Sequence, residues 1–355
     1  MPVDMGGCGY YRVRQPLRML KQYTVHDTHV INIKEDDMSS VGMALARSDV
    51  AIVRQGGEDG MRQLKQFSEF KKVKWVLDID DNIELISPYS DHYKEYGTEE
   101  FFHERMPVWV QGQQGFDVGA NKARVDSLLF GMQEADMVTV TTKRLEKYAR
   151  QYNDTVEIIP NVIDTSQWWR LPLQPNKTLR IGWSGGVSHY EDWHTIREPL
   201  NQLLREFKCT LVSVGTHFDG IIDEDNKKQV EVWPWVPFEA HSYRMMCLNL
   251  DAAIIPLADL PFNHYKSAVK FYEFSALGIP SVVADVPPYK DDIADVYNAA
   301  VYKTPDEFYQ KLKWLLINAD IRREIGNNAY NWVHEYYDAK KATPAIARVF
   351  ERLTE

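Results

Sequence analysis

An α/β chain made of two doubly wound halves is the fold class this sequence predicts, on three observations. Short apolar runs that read as strands alternate with helix-like stretches, and they do so in two separate series, the pattern of parallel sheets covered by helices. Between the series lies Thr165–Lys177, TSQWWRLPLQPNK, whose two prolines and asparagine mark a linker. The length of 355 residues is long for one domain and fits two of roughly 150 to 180. The expected division is an N-terminal domain over 1–167, a C-terminal domain over 168–335 and a closing helix over 336–355.

Composition narrows the function classes. Hydrophobic residues make up 44% and charged residues 26%, an ordinary globular profile. A net charge of -10 argues against coating nucleic acid or an anionic membrane through the overall field. Cys8, Cys209 and Cys247 are scattered and lack metal spacing, which points to a reducing, cytoplasmic setting. No signal peptide is expected, and no run approaches the length and apolarity of a transmembrane helix.

In the first half, Gly6, Gly7 and Gly9 precede a helix-like run from about Pro16. A glycine-rich turn opening a helix lets backbone N–H groups approach a phosphate, and Arg12 and Arg14 are the nearest anion partners. THVINI, SDVAIVRQ and KKVKWVLDIDD read as strands, with GMRQLKQFSEFKK as a helix among them. The third strand ends in Asp78, Asp80 and Asp81. Ligand sites in such sheets lie beyond the carboxyl ends of strands, so these carboxylates are well placed. Their readings are a divalent metal site for magnesium or manganese, a polar contact to substrate, or simple strand-end and capping aspartates. Residues 87–122 are aromatic, charged and too long for an idle connection. A substrate-facing insertion or lid is expected there, with His103 and Trp109 as acceptor contacts. A helix, a strand at Met137–Val140, a helix from Thr142 and the strand EIIPNVID complete the half.

The second half opens with LRIGWSGG, a strand running into Ser184, Gly185 and Gly186. Ser188 with Glu191 three residues later reads as a capping box, so this glycine turn is the better anion cradle. TLVSVG, VEVWPWV and DAAIIPL follow as strands, with a helix over His241–Leu250. NHYKSAVKFYEFSALGIPSVVAD then reads as a helix from Lys266 to Leu277, a glycine stop at Gly278 and a buried strand. At about 100° per residue, Lys266, Lys270 and Glu273 share one face. Two lysines at i and i+4 repel one another, and an anion between them reverses that sign. Two cations and a carboxylate suit a ribose-diphosphate; a solvated amphipathic face is the competing reading. Amphipathic helices close the chain.

ADMVTVTT, IIPNVID, LRIGWSGG and KSAVKFYEFSALGIPSVVAD occur in the order found in GT-B-fold glycosyltransferases. The chain most resembles the retaining glycosyltransferase family 4 and its phage and bacterial relatives, over about 135–285; DIDD and GCGYYRV fit the phage type. The resemblance implies two Rossmann-like domains facing a cleft, with closure across the linker and the closing helix packed back on the first domain. It implies transfer of a sugar, with retention, from a nucleotide-sugar of the UDP-glucose type, without a required cofactor. Glu273 would contact the ribose, Lys270 and Lys266 the diphosphate, and Trp235 and Val236 the nucleobase. Gly7, Gly9, Gly185 and Gly186 would make room for the donor, with Arg12, Ser184 and His189 assisting, and Asp80 or Asp81 would orient the acceptor hydroxyl. Two departures stand out: Tyr265 replaces an earlier glutamate, and Trp183 an arginine. The acceptor reads as a hydroxymethylated DNA base in a phage-infected host cytoplasm, a surface glycan or a small molecule, with Lys71–Lys74 as the basic run a nucleic acid would need. A non-catalytic nucleotide-sugar-binding protein is the other alternative.

Overall fold

The computed structural model describes residues 6–31, 38–54, 60–171, 176–216 and 220–355. By contacts the chain divides into two units, one of residues 1–161, 265–267 and 340–355, the other of 162–264 and 268–339.

The first unit carries a parallel sheet of β1 (Val50–Val53), β2 (Lys74–Ile79), β5 (Met137–Val140) and β6 (Val156–Ile158), in that order; β3 (Phe101–His103) and β4 (Met106–Trp109) form a separate antiparallel hairpin. Strands covered on both faces read as near-continuous apolar runs, and β5, MVTV, is buried at all four positions. Leu64, Leu128 and Leu145, from helices Gly60–Lys71, Val118–Glu134 and Lys143–Ala149, pack with Leu77 and Val138 in one core cluster. A second cluster joins Val76 and Met137 to Leu20 of helix Gln15–Tyr23 and to Ile346 and Val349 of the final helix, Ala339–Glu351.

The second unit holds a six-stranded parallel sheet of β7 (Leu179–Gly185), β8 (Cys209–Gly215), β9 (Val230–Trp233), β10 (Ala252–Ile255), β11 (Ser281–Ala284) and β12 (Ala300–Tyr302). Its order is β9-β8-β7-β10-β11-β12. Counted along the unit this is 3-2-1-4-5-6, the Rossmann order, and it reverses between β7 and β10.

Several expectations are corrected. The first expected strand, THVINI, has no strand over 28–31, and Asn32 and Ile33 lie outside the described residues, as does Gln55 of the next. The glycine-rich start is not a turn before a helix. Gly7–Gly9 is already helical and passes through a π-helical stretch, Tyr10–Arg14, into Gln15–Tyr23. Pro16 has no N–H to donate and its ring crowds the carbonyl four residues back, which a wider turn accommodates. Ser188 does not cap a helix: Val187–His189 is a 3₁₀ turn and His189 takes the cap position of Tyr190–His194. Trp168, expected in a linker, is a buried residue of the second unit whose ring meets His241 edge-on; residues 172–175 of that segment lie outside the described ones. Residues 87–122 contain a short helix, the β3–β4 hairpin and the start of helix Val118–Glu134. Strand β12 went unread.

Candidate functional site

In the first unit the expected anion partner Arg12 is already committed. It is 5% exposed, and its Nε and Nη2 donate to the two oxygens of Asp78 at 3.1 and 2.6 Å. Its Nη1 donates to the Ile159 carbonyl at 2.6 Å and to Asn161 at 3.1 Å. Asp78 also accepts from the Thr139 hydroxyl at 2.7 Å and lies 3.8 Å from Arg54. A carboxylate so occupied is a structural ion pair, which removes Asp78 from the metal reading. Among the described residues no group of three or more His, Cys, Asp or Glu could hold a metal ion.

Past the end of β2 the two remaining aspartates diverge. Asp80 accepts from Arg54. Burial alone would raise its pKa, but the Arg54 charge, a bond from Cys8 and the Arg12 charge hold it below the ordinary value. Asp81 pairs with Lys266 at 3.8 Å. Burial pushes its pKa up, and the neighbouring Asp80 charge adds to this, while Lys266 opposes it. The Cys8 thiol is pushed well up, first by the charge of Asp80. Gly7 and Gly9 lie on the helix that carries Cys8 and Arg12.

Lys266 does not share a helix with Lys270. The helix begins at Val269, and Tyr265–Ser267 belong to the first unit. Thr142 donates to the Tyr265 carbonyl at 3.3 Å and Asn161 to the Ser267 hydroxyl at 2.7 Å, so these contacts take the segment out of the helix. His103 bonds the Tyr89 hydroxyl at 2.7 Å. Trp109 donates to the Pro88 carbonyl at 2.7 Å and packs on Tyr93 and Phe116. Both brace the hairpin.

The second unit gathers the remaining candidates into a ring of neighbouring residues at the carboxyl ends of its strands. At the end of β8, Gly215 has φ +95°, and an added Cβ would stand 2.4 Å from the Trp235 ring and 2.7 Å from the Gly185 carbonyl. At the end of β7, a Cβ on Gly185 would meet the Trp183 ring at 2.5 Å and His189 at 3.1 Å, whereas Gly186 faces open space. Ser184, beside them, is buried. His189 Nε2 meets the Lys270 ammonium, which also lies 5.9 Å over the Trp183 ring. One helical turn on is Glu273, 4% exposed rather than on a solvated face. Its carboxylate lies 3.5 Å from His241 Nε2, and the His241 ring packs 5.6 Å from Trp235, which closes the ring. Trp235 is 44% exposed and Val236 half-buried.

Sequence reasoning did not single out His241, Asp192 or Gly215. His241 is fully buried and stacks on Phe238 at 4.7 Å. Only the fold brings it to Glu273; a lone histidine in a helix carries no such signal. Asp192 bonds His189 at 2.5 Å and accepts from the Ala258 N–H and the Asn263 amide at 2.7 and 3.1 Å. In Rossmann-like sheets ligands bind where the strand order reverses. His189 and Asp192 follow β7 and Ala258 follows β10, so these contacts lie at that switch point.

Two Rossmann-like domains of parallel sheet make up the GT-B architecture, and that is the fold of this chain. The solved structures similar to it include sucrose-phosphate synthase from Thermosynechococcus elongatus, with a TM-score of 0.64 and 13% identity over 98% of this chain and 94% of that one. They also include HepE from Anabaena in complex with UDP-glucose, with a TM-score of 0.62 and 13% identity over 94% of this chain and 88% of that one. A third is a glycosyltransferase from Rickettsia africae, with a TM-score of 0.59 and 9% identity over 99% of this chain and 89% of that one. No protein-family model matches the chain, and no curated protein matches it.

Proposed function

We propose that the chain is a glycosyltransferase that moves a sugar from a nucleotide-sugar, of the UDP-sugar type, to an acceptor hydroxyl with retention of configuration. The observation that carries this reading is the ring in the second unit, which puts an ammonium and a buried carboxylate one turn apart beside two glycines and an exposed tryptophan. The HepE structure holds UDP-glucose, and similarity of fold brings that donor class to this chain as a proposal.

In this reading the second unit binds the donor and the first the acceptor. Glu273 accepts from the two ribose hydroxyls, Trp235 stacks on the base beside Val236, and Gly185 and Gly186 admit the diphosphate. Lys270 stabilises the negative charge that develops on the departing nucleoside diphosphate. It sits at the first turn of Val269–Ala276, whose leading N–H groups favour an anion. Within the second unit Lys270 is the side-chain cation proposed for the diphosphate. Asp81, whose pKa burial raises and which pairs with Lys266, is the carboxyl proposed to orient the acceptor hydroxyl. The basic run at Lys71–Lys74 lies among Glu69, Glu134 and Asp136, with Lys74 on Asp136 at 2.8 Å, so a DNA acceptor is not part of the proposal.

Turnover of UDP-glucose and UDP-N-acetylglucosamine, read as release of UDP, tests it. Removing one preorganised donor to developing charge costs about 100- to 1000-fold in rate. Lys270→Ala should fall by that much while melting at the wild-type temperature. A Lys270→Ala enzyme as fast as wild type contradicts the assignment.

A further inference from the structure

We propose that Asp192 is a positioning residue that aims Lys270 at the donor diphosphate by selecting the tautomer of His189. The inference rests on the donor site proposed above. His189 stands between the two: its Nδ1 is 2.5 Å from an oxygen of Asp192 and its Nε2 meets the Lys270 ammonium. A carboxylate only accepts hydrogen bonds and an ammonium only donates them. One state of the ring satisfies both neighbours, the neutral imidazole with its proton on Nδ1 and its lone pair on Nε2. A doubly protonated ring, or the other tautomer, sets an N–H against the ammonium.

Asp192 is itself held. It is 1% exposed, and its second oxygen accepts from the Ala258 N–H at 2.7 Å and the Asn263 amide at 3.1 Å. The residues it joins follow β7 and β10, the two strands where the sheet order reverses. Its reach to Lys270 is therefore through His189. The arrangement has an electrostatic consequence. A carboxylate set directly on Lys270 would cancel the charge the diphosphate needs. A neutral imidazole anchors the ammonium through one N–H and leaves its charge intact, while the compensating carboxylate stays one ring further away.

Asp192→Asn separates this role from a structural one. The amide oxygen keeps the bonds from Ala258 and Asn263, while the amide nitrogen, turned to Nδ1, can only donate. His189 must then carry its proton on Nε2, against Lys270. Calorimetric titration of wild type, Asp192→Asn and Lys270→Ala with UDP, GDP and ADP and with the matching nucleosides reads the effect. Outer partners that orient metal ligands contribute about 10- to 100-fold in affinity or activity, and a partner that orients an ammonium through one ring is expected on the lower part of that scale. The expected result is a loss of about tenfold or more in nucleoside diphosphate affinity for Asp192→Asn, with nucleoside affinity and melting temperature unchanged. Wild-type diphosphate affinity in Asp192→Asn, beside a clear loss in Lys270→Ala, overturns the positioning role and leaves the donor site standing. A wild type that binds diphosphates no better than nucleosides overturns both. If Asp192→Asn fails to fold, His189→Phe keeps an aromatic ring against Trp183 without the lone pair; it should lose diphosphate affinity alone, and unchanged affinity there overturns the proposal.

Discussion

A buried arginine forked onto a carboxylate and a half-buried lysine held against a histidine ring serve different ends, and Arg12 and Lys270 are one of each. The Arg12–Asp78 pair sits with Arg54 and Thr139 in the interior of the first unit. Asp78→Ala leaves the buried Arg12 guanidinium without its carboxylate, a change that typically costs about 3–5 kcal/mol. Denaturant unfolding should show that loss, and an unaltered midpoint would refute the structural role. Asp80 gives a pH signature. Its folded pKa is lowered, so its contribution is present above the unfolded value and is lost as pH falls through the folded one. Acid unfolding of Asp80→Asn should therefore be less steep than that of wild type below about pH 4. Parallel acid limbs would contradict it.

At the scale of elements, close backbone approaches do much of the positioning. Helix Val269–Ala276 ends with Gly278 at φ +68°, its N–H on the Ser275 carbonyl and the next N–H on that of Phe274, a Schellman cap. The Gly278 carbonyl lies where a Cβ on Gly326 would come within 2.2 Å, so the helix Ala319–Tyr336 packs tightly against this cap. Gly326→Ala should cost about 1–3 kcal/mol, as overpacking does, and lower the melting temperature; an unshifted melt would count against this packing. Strands were legible as short, largely apolar runs bounded by turns, VAIV, KWVLDI, MVTV, AAII and SVVA, the last three buried at every position. The helix boundary at Val269 was not, because KSAV suits a helix and contacts from residues distant in sequence, among them Thr142 and Asn161, hold the preceding segment out of it. The π-helical stretch at Tyr10–Arg14 and the three-residue β12 carry too little local pattern to read. Of the site, Glu273, Lys270 and the Ser184–Gly186 turn were legible from spacing and motif. His241 and Asp192 were not, because their partners lie 32 and 66–71 residues away in sequence or on a turn whose cap was misread.

Among the described residues the molecule has two parallel-sheet units, and the second has the 3-2-1-4-5-6 order with a switch point lined by candidate donor contacts. No helix among the described residues is long and apolar enough to cross a membrane. The central claim is that a nucleotide-sugar binds at that switch point, and thermal unfolding with added ligand tests it most directly. A ligand at 100 times its dissociation constant stabilises by about 2.7 kcal/mol. Wild type should be stabilised to that extent by one nucleoside diphosphate and its sugar conjugate, and Glu273→Ala should lose the effect while melting normally on its own. A wild type indifferent to every nucleoside diphosphate and nucleotide-sugar, or a Glu273→Ala variant stabilised as much as wild type, would contradict the account.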